Sequence, residues 1–235
     1  NRKFVVIKFN SNGSIDQNFA DNGIMAFNDI DGSTVAMLNK IIVQEDNKIL
    51  ICGSVATSGK HDIGIIRLNE DGSLDNSFGG NGKIVKSIGY YDDIGSDEIN
   101  DMQVQEDGKI LLTGLKGDPG YETVKLYIVR FLSNGNADES FGEQGVIIPD
   151  VFAIRTMAAI DLSVPGKITV AGNTMINSVI LLMRYNLDGT IDNSFGTNGI
   201  TLQALPKMTN GNSILSSVTD MKILPDKSIW VFGTS

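Results

Sequence analysis

The chain has 235 residues, 41% hydrophobic and 20% charged, which is enough apolar content for a substantial core and excludes a disordered tail. Its formal charge of −9 argues against a general nucleic-acid binder or an anionic-membrane binder, since both need a basic face. A single cysteine, Cys52, excludes an internal disulfide, and a single histidine, His61, excludes multi-histidine metal sites and leaves little for acid–base chemistry.

Cys52 sits in the apolar run Ile49–Cys52, where nothing nearby would lower its pKa, so it reads as a buried structural thiol. No apolar run approaches the roughly 18 residues of a membrane span, so membrane insertion is not expected. The chain opens on Asn1 without a signal-peptide pattern and reads as a mature product or a piece of a longer parent.

In chain order the elements repeat with a period of about 60 residues. An apolar strand, Phe4–Ile7, leads into the run Lys8-Phe-Asn-Ser-Asn-Gly-Ser-Ile-Asp-Gln-Asn-Phe19, with Gly23 four residues on. A strand near 40–44 follows. It opens a second signature, Val43-Gln-Glu-Asp-Asn-Lys-Ile-Leu-Ile-Cys-Gly53, whose Asp-Asn pair predicts a two-residue hairpin into a strand at 48–52. A strand near 63–68 then meets the second copy of the first run, Arg67 to Phe78 with Gly82, and a strand over Lys83–Lys86.

The pattern continues through Val104–Gly114, Arg130–Phe141 with Gly145, and a strand over 146–148. After it come the shortened hairpin Val164–Gly172, a strand over 180–183, Arg184–Phe195 with Gly199, and Leu224–Gly233. Each period therefore predicts four short strands, a to d, in antiparallel order. Long 3.6-residue periodicity is absent, so the fold class expected is all-β: a β-propeller of four-stranded antiparallel blades, with four repeats in this chain. An extended β-solenoid is the alternative.

The expected domain is a single propeller or propeller segment over 1–235. Strands c and d of the first blade lie in 1–27, repeats lie at about 38–87, 99–149 and 159–203, and strands a and b of the last blade lie in 218–235. The last two strands are expected either to join the first two in a split blade or to belong to an arc of a larger ring.

These runs resemble the delta-60 repeat, a bacterial β-propeller repeat known as a domain of unknown function. The matching elements are the Asp-Gly-Lys-Ile hairpin, the Arg-Leu-Asn-x-Asp-Gly-Ser-Leu-Asp-x-Ser-Phe-Gly run and the glycine after it. Copy 3 departs most, with Leu132 for Asn and Pro165 in its hairpin. The resemblance implies a secreted or cell-surface bacterial protein and brings no catalytic residues with it.

A residue present in every copy meets the same surroundings every time, which makes it structural first. Phe19, Phe78, Phe141 and Phe195 are expected to wedge at the base of a blade. Asp16, Asp75, Asp138 and Asp192 are expected to accept backbone N–H groups of the following turn, with Lys8, Arg67, Arg130 and Arg184 clasping them. The Asn/Asp-Gly pairs that open each run supply the positive φ of a tight turn. The same carboxylates faintly resemble a calcium loop but offer too few oxygens for one, so no cofactor is expected, with calcium as the alternative.

Function is placed on the variable side, which carries the b–c and d–a connections. Its candidate ligand residues are Tyr90, Tyr91, Asp92, Asp93, His61 and Tyr121. A second candidate is a channel mouth formed by Lys40, Asp101, Asp161 and Asp220 at the start of strand a. No nucleophile–base pair or phosphate loop appears. The expectation is a non-catalytic scaffold or adhesion module with a protein or glycan partner. A glycan- or peptide-binding module is the alternative, and a propeller lyase or hydrolase the more remote one.

Overall fold

A computed structural model describes residues 4–27, 29–30, 32–57, 60–88, 96–117, 124–151, 154–174, 179–205 and 217–234. All elements among them are strands. In order they are β1 (Phe4–Ile7), β2 (Ile24–Phe27), β3 (Asp29–Ile30), β4 (Ser33–Val43), β5 (Ile49–Thr57), β6 (Lys60–Leu68), β7 (Lys83–Lys86) and β8 (Ser96–Val104). Then come β9 (Ile110–Gly117), β10 (Val124–Phe131), β11 (Val146–Ile147), β12 (Ile154–Asp161), β13 (Lys167–Thr174), β14 (Ile180–Asn186), β15 (Ile200–Gln203), β16 (Ser217–Ile223) and β17 (Ile229–Thr234). Among the described residues no helix is long and apolar enough to cross a membrane.

Contacts divide the chain into two units, Asn1–Ile99 with Ser133–Asn136, and Asn100–Leu132 with Ala137–Ser235. In the first, β4 to β7 form an antiparallel meander in which each strand pairs with the next. β1 pairs with β2. β3 folds back on β4 inside the stretch read from sequence as a loop. Phe19, Ile30, Ile51, Val55, Ile66 and Leu68 form the core of this unit.

In the second unit β9, β10 and β11 are antiparallel, with β8 beside β9. β12 to β15 repeat the meander, and β16 pairs with β17. One core cluster runs through Leu111, Ile128, Phe141, Ile160, Val170 and Met183, and a smaller one joins Ala159, Ala171, Val218 and Met221. β5, β6, β9 and β10 are buried almost without alternation because both faces are covered, every residue of β9 included, whereas β1, β14 and β17 alternate.

Strands a, b and c are longer than their apolar runs predict. Strand a extends back to Ser33, and strand b runs on to Thr57 past Gly53, a residue that reads as a strand end. The reason lies across the ladder. Strand a shifts register between Leu38 and Lys40, opposite Gly53 and Cys52. The same shift recurs between Met157 and Ala159 opposite Gly172, and between Val218 and Asp220 opposite Gly233. A β-bulge in strand a thus meets the repeat glycine of strand b each time. A Cβ on Gly53 would stand 2.0 Å from the Met37 carbonyl oxygen. The glycine is required by close backbone approach, and the sheet continues through it.

The a–b hairpin also differs from expectation. The Gln44 N–H donates to the Lys48 carbonyl and the Asn47 N–H to the Gln44 carbonyl, so three residues, not two, make the turn. Only the third, Asn47, lies in the left-handed region, at φ 63°, where a later copy has Gly108. Copy 3 is not the shortened hairpin expected: Asp161 faces Thr169 across as many residues as separate Ile42 from Leu50, and the chain turns through Pro165 and Gly166, the residue pattern of a type II turn.

Substituting Gly53→Ala is expected to cost about 1–3 kcal/mol, because the methyl group meets backbone that cannot yield without moving strand a. The urea unfolding midpoint of the variant measures it. An unchanged midpoint would show that the bulge is not rigid.

Candidate functional site

The most ordered polar site in the molecule recurs where strand c hands over to strand d. The Asp75 N–H donates to the Arg67 carbonyl, and the Phe78 N–H to the Asp75 carbonyl. Asp75 Oδ1 accepts from the Ser77 backbone N–H at 3.0 Å and from the Ser77 hydroxyl at 2.6 Å. That leaves Oδ2 to face Arg67 Nε at 2.7 Å and Lys48 Nζ at 3.3 Å. Copies 3 and 4 repeat this, with Arg130 and Lys109 on Asp138, and Arg184 and Lys167 on Asp192. The first copy has Lys8 on Asp16 at 3.2 Å.

The arginine continues past its carboxylate. Arg67 Nη1 donates to the Ser133 carbonyl, and Arg130 Nη1 to the Leu187 carbonyl, each in the c–d turn of the following repeat. The guanidinium also lies over the phenylalanine of its own run, 4.5 Å from the Phe78 ring and 4.3 Å from the Phe141 ring. On its other side the ring meets the next repeat's turn glycine. A Cβ on Gly135 would lie 3.0 Å from Phe78, and one on Gly189 3.0 Å from Phe141. These glycines, at φ 90°, therefore answer two demands, the turn and the ring.

The sequence indicates the Arg–Asp clasp and the wedge. It does not indicate the hairpin lysine as a third member. The signal was present, since Lys48, Lys109 and Lys167 recur at one place in three hairpins. In the fourth, Ser228 holds that place and caps Asp226.

Burial pushes the Asp75 and Asp138 carboxyls up. The hydroxyls of Ser77 and Ser140, with the neighbouring cations, outweigh it and hold both below the usual carboxylate range. Asp192 is held down first by the Ser194 hydroxyl and then by Lys167. Asp16 is lowered by the Asn18 N–H and Lys8. Burial alone pushes the Tyr185 phenol up.

On the variable side, Tyr90, Tyr91, Asp92, Asp93 and Tyr121 lie outside the described residues. His61 is described. It stands half-buried in β6, paired with Ala56 of β5 and bridged to Ser96. Close by in sequence and register are three buried polar residues, Ser54, Asp62 and Asp97. The Ser54 hydroxyl donates to the Asp97 carbonyl at 3.2 Å, and Asp97 Oδ2 accepts the Ile88 N–H at 2.7 Å. The serine and the carboxylate are thus committed to main-chain groups.

The strand-a acids lie toward the hairpin end of their strands, because strand a begins well before them. Asp101 Oδ1 accepts the Met102 N–H at 2.8 Å and its Oδ2 accepts the Ile160 N–H at 3.1 Å, on the strand a of the next repeat. Asp161 takes the Ser163 and Ile223 N–H groups in the same fashion. Asp220 Oδ1 takes the Met221 N–H at 2.7 Å. The four positions do not match as the sequence suggests. Lys40 pairs with Cys52 and Asp220 with Phe232, each beside its repeat glycine, whereas Asp161 pairs with Thr169, two residues nearer the hairpin. The hairpin of copy 3 is as long as the others, so Asp161 stands in the place of Ile42, and Ala159, paired with Ala171, holds the place of Lys40. Among the described residues no three of His, Cys, Asp and Glu gather as a metal site would require.

Residues 44–78, 105–141 and 166–195 match the family described as a domain of unknown function (DUF5122) beta-propeller. Each matched stretch runs from the a–b hairpin to the wedge phenylalanine. No curated protein matches the chain.

Removing a carboxylate from this cluster strands a buried cation. Asp138→Ala, which leaves Arg130 with a side chain only 4% exposed, is expected to cost about 3–5 kcal/mol in chemical denaturation. Asp16→Ala, facing the more exposed Lys8, is expected to cost far less. Because the folded carboxyls lie below their unfolded value of 3.8, their contribution is complete above that value and drains away as pH falls below it. Melting temperature should therefore hold level near neutrality and drop on acidification below about pH 4, less steeply in an Asp75→Asn, Asp138→Asn variant.

Proposed function

Because the chain is built of repeats of this β-propeller family, we propose that it is a non-catalytic propeller scaffold, four blade repeats long, for interaction with a protein or glycan. One observation carries the reading. The ionisable residues that recur in the repeats are engaged with each other, with main chain and with the next repeat, so their chemistry is committed to holding repeats together. What differs between repeats is the side that bears the b–c and d–a connections, and variation on a rigid frame is where recognition resides.

His61 and the Tyr90–Asp93 and Tyr121 segments supply the contact residues of that side. Tyrosines give rigid amphipathic area at low entropic cost. A secreted or cell-surface bacterial setting belongs to the proposal. It is supported by the family resemblance, by a net charge of −9 and by a lone buried thiol that needs no reducing compartment. A glycan- or peptide-binding site would occupy the same loops.

A glycan array and a pull-down from the source bacterium's surface fraction test it. Binding should be lost in a Tyr90→Ala, Tyr91→Ala variant whose melting temperature is unchanged. Retention of every captured partner by that variant would move the site elsewhere, and turnover of a bound glycan would overturn the non-catalytic reading. Calcium and EDTA are each expected to leave the melting temperature unchanged, as differential scanning calorimetry would show. A rise with calcium would assign the Asn/Asp turns a metal.

A further inference from the structure

The four c–d turns share one design, yet the first carries two substitutions of its own, both at its contact with the second. Lys8 stands where the other runs have Arg67, Arg130 and Arg184, and Ala20 stands where they have Gly79, Gly142 and Gly196. We propose that these two residues make this contact a latch, weaker than its counterparts, at which the repeats part first and Phe19 lifts from the second turn.

The lysine removes a bond. Arg67 grips Asp75 with Nε and still has Nη1 for the Ser133 carbonyl, in the turn of the following repeat. Arg130 does the same with Asp138 and the Leu187 carbonyl. Lys8 has a single nitrogen at its tip, a point charge without the guanidinium fork. That nitrogen faces Asp16 at 3.2 Å, and among the described residues it reaches no carbonyl of the second turn. It also stands 5.9 Å from the Phe19 ring, where the guanidinium groups of Arg67 and Arg130 lie 4.5 Å and 4.3 Å from theirs.

The alanine adds strain. At φ 45° Ala20 lies in the left-handed region, where its Cβ crowds the backbone. A Cβ on Gly79 would stand 2.3 Å from the Lys83 carbonyl oxygen, and one on Gly142 2.2 Å from that of Val146. Ala20 carries this methyl group, and the bonds around it are longer. The Asp21 N–H meets the Ile24 carbonyl at 3.2 Å, against 2.8 Å for Glu143 on Val146 and for Thr197 on Ile200. The Lys8 N–H meets the Gly23 carbonyl at 3.2 Å, against 2.9 Å for Arg67 on Gly82.

Two ties across the contact remain. The Phe19 ring packs on the Gly72 turn, and the Ala20 N–H donates to the Asp71 carbonyl at 2.7 Å. Phe19 belongs to the core that includes Ile51, Ile66 and Leu68, so its departure would unseal that core. The rigid clasp that closes the later turns is thus relaxed at one place by two residue choices.

Amide hydrogen exchange, followed by NMR on the full chain, tests the latch. The Ala20 and Gly79 N–H groups make the same bond to the following turn, on Asp71 and on Asn134, so they report equivalent contacts. After correction for intrinsic rates, Ala20 should be at least about tenfold less protected than Gly79. Lys8→Arg should raise the protection of Ala20, and a Lys8→Arg, Ala20→Gly chain should bring the amide at position 20 level with Gly79. Equal protection of Ala20 and Gly79 in the unaltered chain would overturn the proposal. So would a doubly substituted chain whose position 20 exchanges as fast as before, which is the result that simple fraying predicts.

Discussion

The structure depends on a charged cluster that each repeat closes upon itself and then extends to its neighbour. A buried aspartate between an arginine and a lysine would be costly alone. Here the carboxylate is satisfied at both oxygens, and the arginine is satisfied by the carboxylate, by an aromatic face and by a carbonyl of the following turn. Truncating any member leaves another group buried without its partner. The phenylalanine wedge, the turn glycine and the register of strands c and d are all set by this cluster.

The strand-a bulge has the complementary role inside each sheet. It brings the Met37 carbonyl against the repeat glycine of strand b, where the two backbones approach most closely. The same shift faces Gly172 and Gly233, so the irregularity belongs to the repeat and is not a defect of one copy.

Much of this was legible in the residues. The four runs gave the strand order, the turn glycines, the Arg–Asp pairing and the wedge, because each is a local relation within a dozen residues. Three things were not. The length of strands a to c was hidden because Gly53 reads as a breaker, and only the facing bulge explains why it is not. The lysine of the cluster was hidden because Lys48 and Asp75 are joined by sheet pairing, not by sequence. The offset of Asp161 was hidden because matching Val164 to Val43 makes the hairpin of copy 3 look two residues short, and only the strand pairing shows that Asp161 stands in the place of Ile42. On the variable side, His61 is placed in β6 beside committed polar groups, and the tyrosine segments carry no repeating pattern from which a shape could be reasoned.

The two places from which a strand-a acid reaches the next repeat bear on how such an array tolerates change. Asp101 grips the Ile160 N–H, while Asp161 stands two places further along its strand and grips an N–H displaced by the same interval, from the place of Ile160 to that of Ile223. Because side chains alternate faces along a strand, a step of two keeps the carboxylate on the same side, whereas a step of one would turn it over. An acid can therefore serve this reach from either of two alternate positions, and successive repeats need not use the same one.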